Sequence, residues 1–362
     1  MNQPGLRKDE LETPVLCLDL DAYERNTARM LRVIRDECGL AWRPHMKGQK
    51  APQLAQRAVA AGAIGVTCAT VYEAEAMVEA GIMEILIANQ VAGERKLRRL
   101  AGLEWKSRVM AATDSHEHAR LLSAAAVAER VTIPVVIEIN VGMNRCGISP
   151  GEPVVELARA IAALPGLSFA GVMGWEGHIL SIDPAEKEAR GAESMALLAK
   201  SAAMCREAGL PPGIVSAAGT GTFLSSARHA GLTEVQAGGG VFSDLKYRAW
   251  GLAGHEFALT VLTRVVSRPS PTRVLTDGGF KTLSSQHGMP EAIGLKVKNL
   301  ALSAEHGNIE LDTADDSLRV GDLVEFVPGY TDSTVCLHDE ICAMRNGVVE
   351  EVWTIPGRGG RR

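Results

Sequence analysis

Eight short apolar, β-rich runs recur along the first two thirds of the chain, near 41–46, 64–69, 84–89, 107–113, 132–141, 167–175, 213–218 and 234–240. The longer stretches between them, such as 51–61, 71–81, 115–129, 152–163 and 184–208, carry apolar residues at helical spacing. Strands that alternate with helices predict a parallel sheet. Eight of them suggest a closed eight-stranded parallel β/α barrel, a fold whose chemistry sits where strands run into the following loops.

After about residue 254 the pattern changes. TVLTRVVSRP, TRVLTDGG, DLVEFVPG, EICAMRN and VVEEVWTIP are β-branched runs broken by Gly, Pro and Asp without long helices between them, which predicts a separate C-terminal β domain. The run Pro14–Leu20 precedes a helix expected over Asp21–Cys38 and could belong to either domain. The expected division is a barrel over 21–253 and a β domain over 254–362 joined by 1–20. The Gly- and Arg-rich tail after Trp353 is expected to fray.

A chain of 362 residues, 46% apolar and 22% charged, can bury a core of that size without disulfides. Lys and Arg total 38 against 43 Asp and Glu, a net charge of −5, so no basic excess favours a nucleic-acid partner. The seven cysteines are scattered and form no CxxC pair, which fits reduced thiols in a cytoplasmic protein. The opening residues lack the apolar stretch of a signal peptide, and no run approaches the roughly 18 apolar residues of a membrane span.

The first candidate for chemistry is Arg43-Pro44-His45-Met46-Lys47-Gly48-Gln49-Lys50, at the end of the first barrel strand. Pro44 confines Arg43 to an extended backbone, and strand alternation then puts His45 and Lys47 on one face. A lysine partly desolvated in a barrel mouth suits Schiff-base formation; a solvated basic loop would account for the same residues. The second is a pair of Gly-rich turns: Ala218-Gly219-Thr220-Gly221-Thr222 after the seventh strand and Gly238-Gly239-Gly240 after the eighth. Loops in these two places are the usual phosphate site of a β/α barrel. Together the lysine and the turns suit pyridoxal phosphate. Trp175 and His178 follow the sixth strand, where core burial and a satisfied loop histidine are the alternatives to a functional role. His116 and His118 sit among charges at a helix start and read as a solvated face, as does the run Arg95 to Arg99.

These residues resemble the pyridoxal-phosphate barrel enzymes related to alanine racemase, in their D-threonine aldolase and D-serine dehydratase branch. RPHMKGQK is similar to the family's RPHxKxHK, with Lys47 matching the cofactor lysine and Gln49 replacing a histidine. Gly142-Met143-Asn144-Arg145-Cys146-Gly147 matches a segment whose arginine, here Arg145, stands beside the cofactor, and Trp175 falls where an aromatic residue faces its ring. The GTGT turn with Gly221 and Thr222, and the run Gln236 to Asp244 with Gly238, Gly239 and Gly240, match the phosphate loops; an aromatic residue is common where Gly240 stands. Asp277-Gly278-Gly279-Phe280-Lys281 and Glu305-His306-Gly307 are similar to signatures of the β domain.

One segment departs from the family. Aldolases of the family resemble Pro-x-His-Cys-Asp-Pro-Thr-Val, whose His and Asp bind a divalent metal, and the dehydratases hold zinc with a His and a Cys. This chain reads Pro328-Gly329-Tyr330-Thr331-Asp332-Ser333-Thr334-Val335. Either Asp332 holds a hard ion such as Mg or Mn with another group, or no metal is bound. Cys336 and His338 lie nearby in sequence but need not share the site.

The resemblance implies a homodimer whose β domain completes the active site, with Lys47 carrying the cofactor. Retro-aldol cleavage of a D-β-hydroxy-α-amino acid to glycine and an aldehyde is the expected reaction, since Asp-x-Thr-Val is closer to the aldolase pattern. His45, Arg145, Tyr330 and His306 join Lys47 as candidate catalytic residues, Tyr330 or His306 as proton acceptor. Dehydration of such an amino acid, racemisation or epimerisation, and a pyridoxal-phosphate-binding regulatory protein are the alternatives.

Overall fold

The structure, a computed structural model, describes residues 2–360. Its contacts divide the chain into two compact units. One comprises Met30–Lys47, Pro52–Gly238 and Gly360; the other comprises residues 2–29, Gly48–Ala51 and Gly239–Gly359.

Strand β1 (Val15–Asp19) belongs to the second unit. The first unit then contributes β2 (Ala41–Trp42), β3 (Val66–Cys68), β4 (Glu84–Ile87), β5 (Arg108–Thr113), β6 (Ile133–Ile139), β7 (Leu167–Gly174), β8 (Ile214–Ala217) and β9 (Glu234–Val235). They pair in parallel in the order β2-β9-β8-β7-β6-β5-β4-β3. A parallel bridge between His45 and Thr67, with Thr67 N–H on the Pro44 carbonyl at 2.9 Å, joins the two ends of that order and closes the barrel. The whole of β6, IPVVIEI, is buried, as a parallel strand covered on both faces must be. Leu86, Met110, Ala112, Val136 and Met173 form one cluster of this core.

Helices fill the connections, and local chemistry sets their starts. The Thr70 and Ser115 side chains accept the first free N–H groups of Val71–Glu79 and His116–Glu129, and Asp183 does so ahead of Pro184–Glu207. The expected helix over Asp21–Cys38 is α-helical only over Leu20–Leu31 and widens to a π-helical segment over Arg32–Glu37.

In the second unit β10 (Leu259–Ser270), β11 (Arg273–Thr276), β12 (Glu291–Ala292), β13 (Val297–Leu302), β14 (Gly307–Leu311), β15 (Leu323–Val327), β16 (Glu340–Arg345) and β17 (Val348–Thr354) complete the sheet. Its path runs β13-β14-β11-β10-β1-β16-β17, with β15 on β10 and β12 on β15. Pairing is antiparallel except between β1 and β16. Cys17 of β1 packs with Leu11, Val15, Leu262, Cys342 and Met344, and burial pushes both thiols up.

The tail does not fray within the described residues. Ile355 N–H bonds the Asp339 carbonyl at 2.9 Å, Gly357 N–H bonds Lys50 at 3.2 Å, and Arg358 pairs with Asp339. Residues 361–362, where that expectation also falls, lie outside the described residues. No described helix is long and apolar enough to cross a membrane.

Candidate active site

The chemistry-bearing side chains of the barrel collect at the carboxyl ends of its strands. Extended backbone ends at His45, because Met46–Gly48 form a 3₁₀ turn. His45 and Lys47 therefore do not alternate along one strand face as expected: the Lys47 N–H turns back toward His45 Nδ1 at 3.3 Å, and Lys47 is exposed. Arg43, two residues before His45, is buried and pairs with Glu234 of β9 at 3.0 and 3.1 Å. Gly238 packs so close to strand one that a Cβ there would lie 2.2 Å from the His45 carbonyl oxygen.

Glu138, near the end of β6, was not singled out from the sequence. It accepts a hydrogen bond from Gln90 Nε2 at 2.6 Å, lies 3.8 Å from the Arg145 guanidinium, and is pushed up by burial. Arg145 itself is half-exposed, on the loop after β6. His178 reaches this loop as well: Gly142, at φ +120°, leaves room for its ring, which a Cβ would approach to 2.7 Å.

Trp175 follows β7 and is half-buried. Its ring is fitted between Gly177 and Gly219, where added Cβ atoms would come within 2.3 and 2.4 Å. Gly219 opens the turn after β8, which the Thr222 hydroxyl closes by accepting the Gly219 N–H at 3.1 Å. Next to Trp175, the fully buried Glu176 carboxylate and the Nδ1 of His178 have no hydrogen-bond partner among the described residues. His118, expected on a solvated face, is instead buried. Its ring nitrogens contact Thr113 Oγ1 at 3.0 Å and the Val91 carbonyl at 2.8 Å, because the Ser115 cap turns its side of the helix inward. His116 is exposed.

A second cluster lies within the β unit. Tyr330 Oη donates to Asp332 Oδ2 at 3.0 Å and Tyr247 Oη to Asp332 Oδ1 at 3.3 Å. The buried Asp244 sets both phenols in place: one oxygen caps the helix Leu245–Ala249 at Tyr247 N, at 2.7 Å, and the other takes Thr331 N–H and Oγ1–H at 2.8 Å each. Burial pushes Asp244 up to about 6. Burial and the neighbouring Asp332 push both phenols above the usual tyrosine range. Trp250 and His287 complete an aromatic wall around Tyr330, with ring centroids 6.0 and 5.2 Å away.

Trp250 and His287, neither of which stands out in the sequence, are both edge-on to Tyr330. His306 is exposed in the turn between β13 and β14, after the ion pair of Lys281 with Glu305. Asp277 is structural: it takes the Thr13 hydroxyl at 2.5 Å and the Arg264 N–H at 2.7 Å. His338 is buried against the Thr282 carbonyl at 2.9 Å, and Cys336 Sγ–H points to the Asp332 carbonyl at 3.4 Å. Gly239 and Gly240 lie in a 3₁₀ turn of the β unit, where the Gly240 carbonyl is 2.8 Å from His255 Nδ1.

An eight-stranded β/α barrel with a lysine at the end of strand one and Gly-rich turns after strands seven and eight, followed by a β domain, defines a class of two-domain barrel enzymes. Residues 18–245 match the model of the alanine racemase N-terminal domain, and 258–344 that of a putative serine dehydratase domain. The chain belongs to the alanine racemase N-terminal domain family. It is 35% identical over 365 residues to a D-threonine aldolase of an Arthrobacter species, covering 99% of this chain and 96% of that one. A 3-hydroxy-D-aspartate aldolase of Paracoccus denitrificans is likewise 35% identical over 368 residues, covering 98% and 94%. The solved structure of D-threonine aldolase from Filomicrobium marinum superposes with a TM-score of 0.96 at 36% identity, covering 100% of both chains.

Pyridoxal phosphate, the cofactor of the family, fits the donors of the barrel. Lys47 offers a primary amine at the mouth, and the Gly219–Thr222 turn, closed by its own Gly219 N–H to Thr222 hydroxyl bond, lies against Trp175. The unmet polar atoms of Glu176 and His178 sit on the loop that carries Trp175, the mark of a site built around a further group.

Proposed function

We infer that the chain is a pyridoxal-phosphate-dependent lyase that cleaves a D-β-hydroxy-α-amino acid into glycine and an aldehyde. The observation that carries this reading is the end-to-end likeness to the D-threonine aldolase structure, joined to a lysine at the position that the chemistry requires.

Lys47 would hold the cofactor covalently through Nζ, and the turns containing Gly221, Thr222, Gly238, Gly239 and Gly240 would take its phosphate. Trp175 would pack on the ring, and Arg145, tied to Glu138, would stand beside it. When bound, the cofactor supplies a ring and imine that accept the electron pair left by the broken Cα–Cβ bond. His45 would orient the lysine turn through the Lys47 N–H. In the β unit, Tyr330 with Asp332 supplies a group able to take the substrate's hydroxyl proton. A homodimer and a cytoplasmic location belong to the same reading.

Incubation with D-threonine should release glycine and acetaldehyde in equal amounts, and L-threonine should release neither. Production of 2-oxobutyrate and ammonia would instead assign a dehydratase, and a changed optical rotation without cleavage an epimerase. Lys47→Ala should lose the visible absorbance of the bound cofactor together with turnover; absorbance retained in that variant would refute the lysine assignment.

A further inference from the structure

We propose that Asp332 is a hydrogen-bond acceptor shared by two tyrosines rather than a ligand for a divalent cation, and that Tyr330 and Asp332 form a metal-independent proton relay held in place by Tyr247. The relay rests on the lyase reading above; the absence of a cation site does not.

Each oxygen of the Asp332 carboxylate faces a phenol, Tyr330 at 3.0 Å and Tyr247 at 3.3 Å. A neutral phenol brings a donor hydrogen to the carboxylate where a cation would need a lone pair. The backbone of Gly48 closes in from another side: a Cβ there would lie 2.2 Å from Asp332 Oδ1. Trp250, His287 and Tyr247 surround Tyr330 with rings at centroid distances of 5.2 to 6.0 Å. Magnesium and manganese sites collect several oxygen ligands and usually keep bound water. Among the described residues no three His, Cys, Asp or Glu side chains converge as a metal set would.

A cation at Asp332 would serve to ease the loss of the hydroxyl proton from the substrate. The hydrogen bonds offer another route. As the Cα–Cβ bond breaks, Tyr330 Oη takes the hydroxyl proton and passes its own proton to Asp332 Oδ2. One O–H bond is lost from the substrate, one is gained on the carboxylate, and the phenol is unchanged. Tyr247, donating to the other oxygen, holds the carboxylate in line. In this role Tyr330 and Asp332 are catalytic residues and Tyr247 a positioning residue.

The cation part is tested on purified holoenzyme by titration with Mn²⁺, with free Mn²⁺ followed by electron paramagnetic resonance. Wild type and Asp332→Asn should give the same free-ion curve. Uptake of one ion per chain by wild type that disappears in Asp332→Asn would overturn the proposal. This measurement needs no turnover, so it stands even where the assay for D-threonine cleavage fails. For the relay, Tyr330→Phe should keep the cofactor absorbance while kcat falls about 100-fold or more, and Tyr247→Phe should lower kcat less and shift its pH profile. Wild-type cleavage that vanishes with chelator and returns with Mn²⁺, or a Tyr330→Phe variant as fast as wild type, would overturn the relay.

Discussion

Asp244 shows how a single buried carboxylate can hold a site together. It caps the helix that carries Tyr247 and pins the residue after Tyr330, so both phenols depend on it. In Asp244→Ala the Thr331 and Tyr247 N–H groups lose their acceptor inside the protein, which should cost about 1–3 kcal/mol in urea unfolding and reduce the near-ultraviolet dichroism of the aromatic wall. An unchanged unfolding midpoint would show that other groups set the two tyrosines. The motif around Lys47 could be read from the sequence because it is contiguous. Tyr247 could not: 85 positions separate it from Asp332, and only folding brings them together. His118 misled for a related reason. Charged neighbours describe the outer face of a helix, whereas its partners, Thr113 and the Val91 carbonyl, lie on the inner side.

At the level of elements, the closing seam of the barrel is the informative one. β2 and β9 have two residues each, and their pairing is reinforced by the buried contact of Arg43 with Glu234. Arg43→Met leaves the Glu234 carboxylate buried and uncompensated, a loss of about 3–5 kcal/mol. Arg43→Met combined with Glu234→Leu should recover most of it, since an apolar pair of similar volume removes both charges. Urea unfolding of the single and double variants measures the difference; equal losses in the two would mean that the ion pair does not govern the seam. All eight strands were legible as apolar β-rich runs, but β2 and β9 proved much shorter than those runs. The Gly-rich turn after Val235 and the 3₁₀ turn after His45 end the extended backbone early, and close backbone approach of the kind seen at Gly238 has no periodicity to betray it. The tail was misjudged because its composition gave no sign of the Lys50 and Asp339 carbonyls that anchor it.

For the molecule as a whole, His255 and His338, lowered by burial, and Asp244 and Glu138, raised by it, give stability a pH profile that can be worked out with its sign. Burial lowers His255 and His338 below the ordinary 6.5. Below pH 6.5 the unfolded chain therefore binds protons that the folded chain refuses, and stability falls as pH falls, by up to about 1.4 kcal/mol per pH unit for each histidine. Asp244 and Glu138 act in the opposite sense. Held at about 6 against an ordinary 3.8, Asp244 binds its proton first in the folded state, so acidification through that interval favours folding. The histidines act alone just below 6.5 and are partly offset below 6. Thermal unfolding should thus show a melting temperature that declines from pH 7 to 6 and goes on declining below 6, less steeply than the two histidines alone would impose. His255→Gln should shallow the first decline, and Asp244→Asn should steepen the decline below 6. A melting temperature that rises on acidification from 7 to 6 would mean that these imidazoles are charged in the folded protein, contrary to their burial against the Gly240 and Thr282 carbonyls.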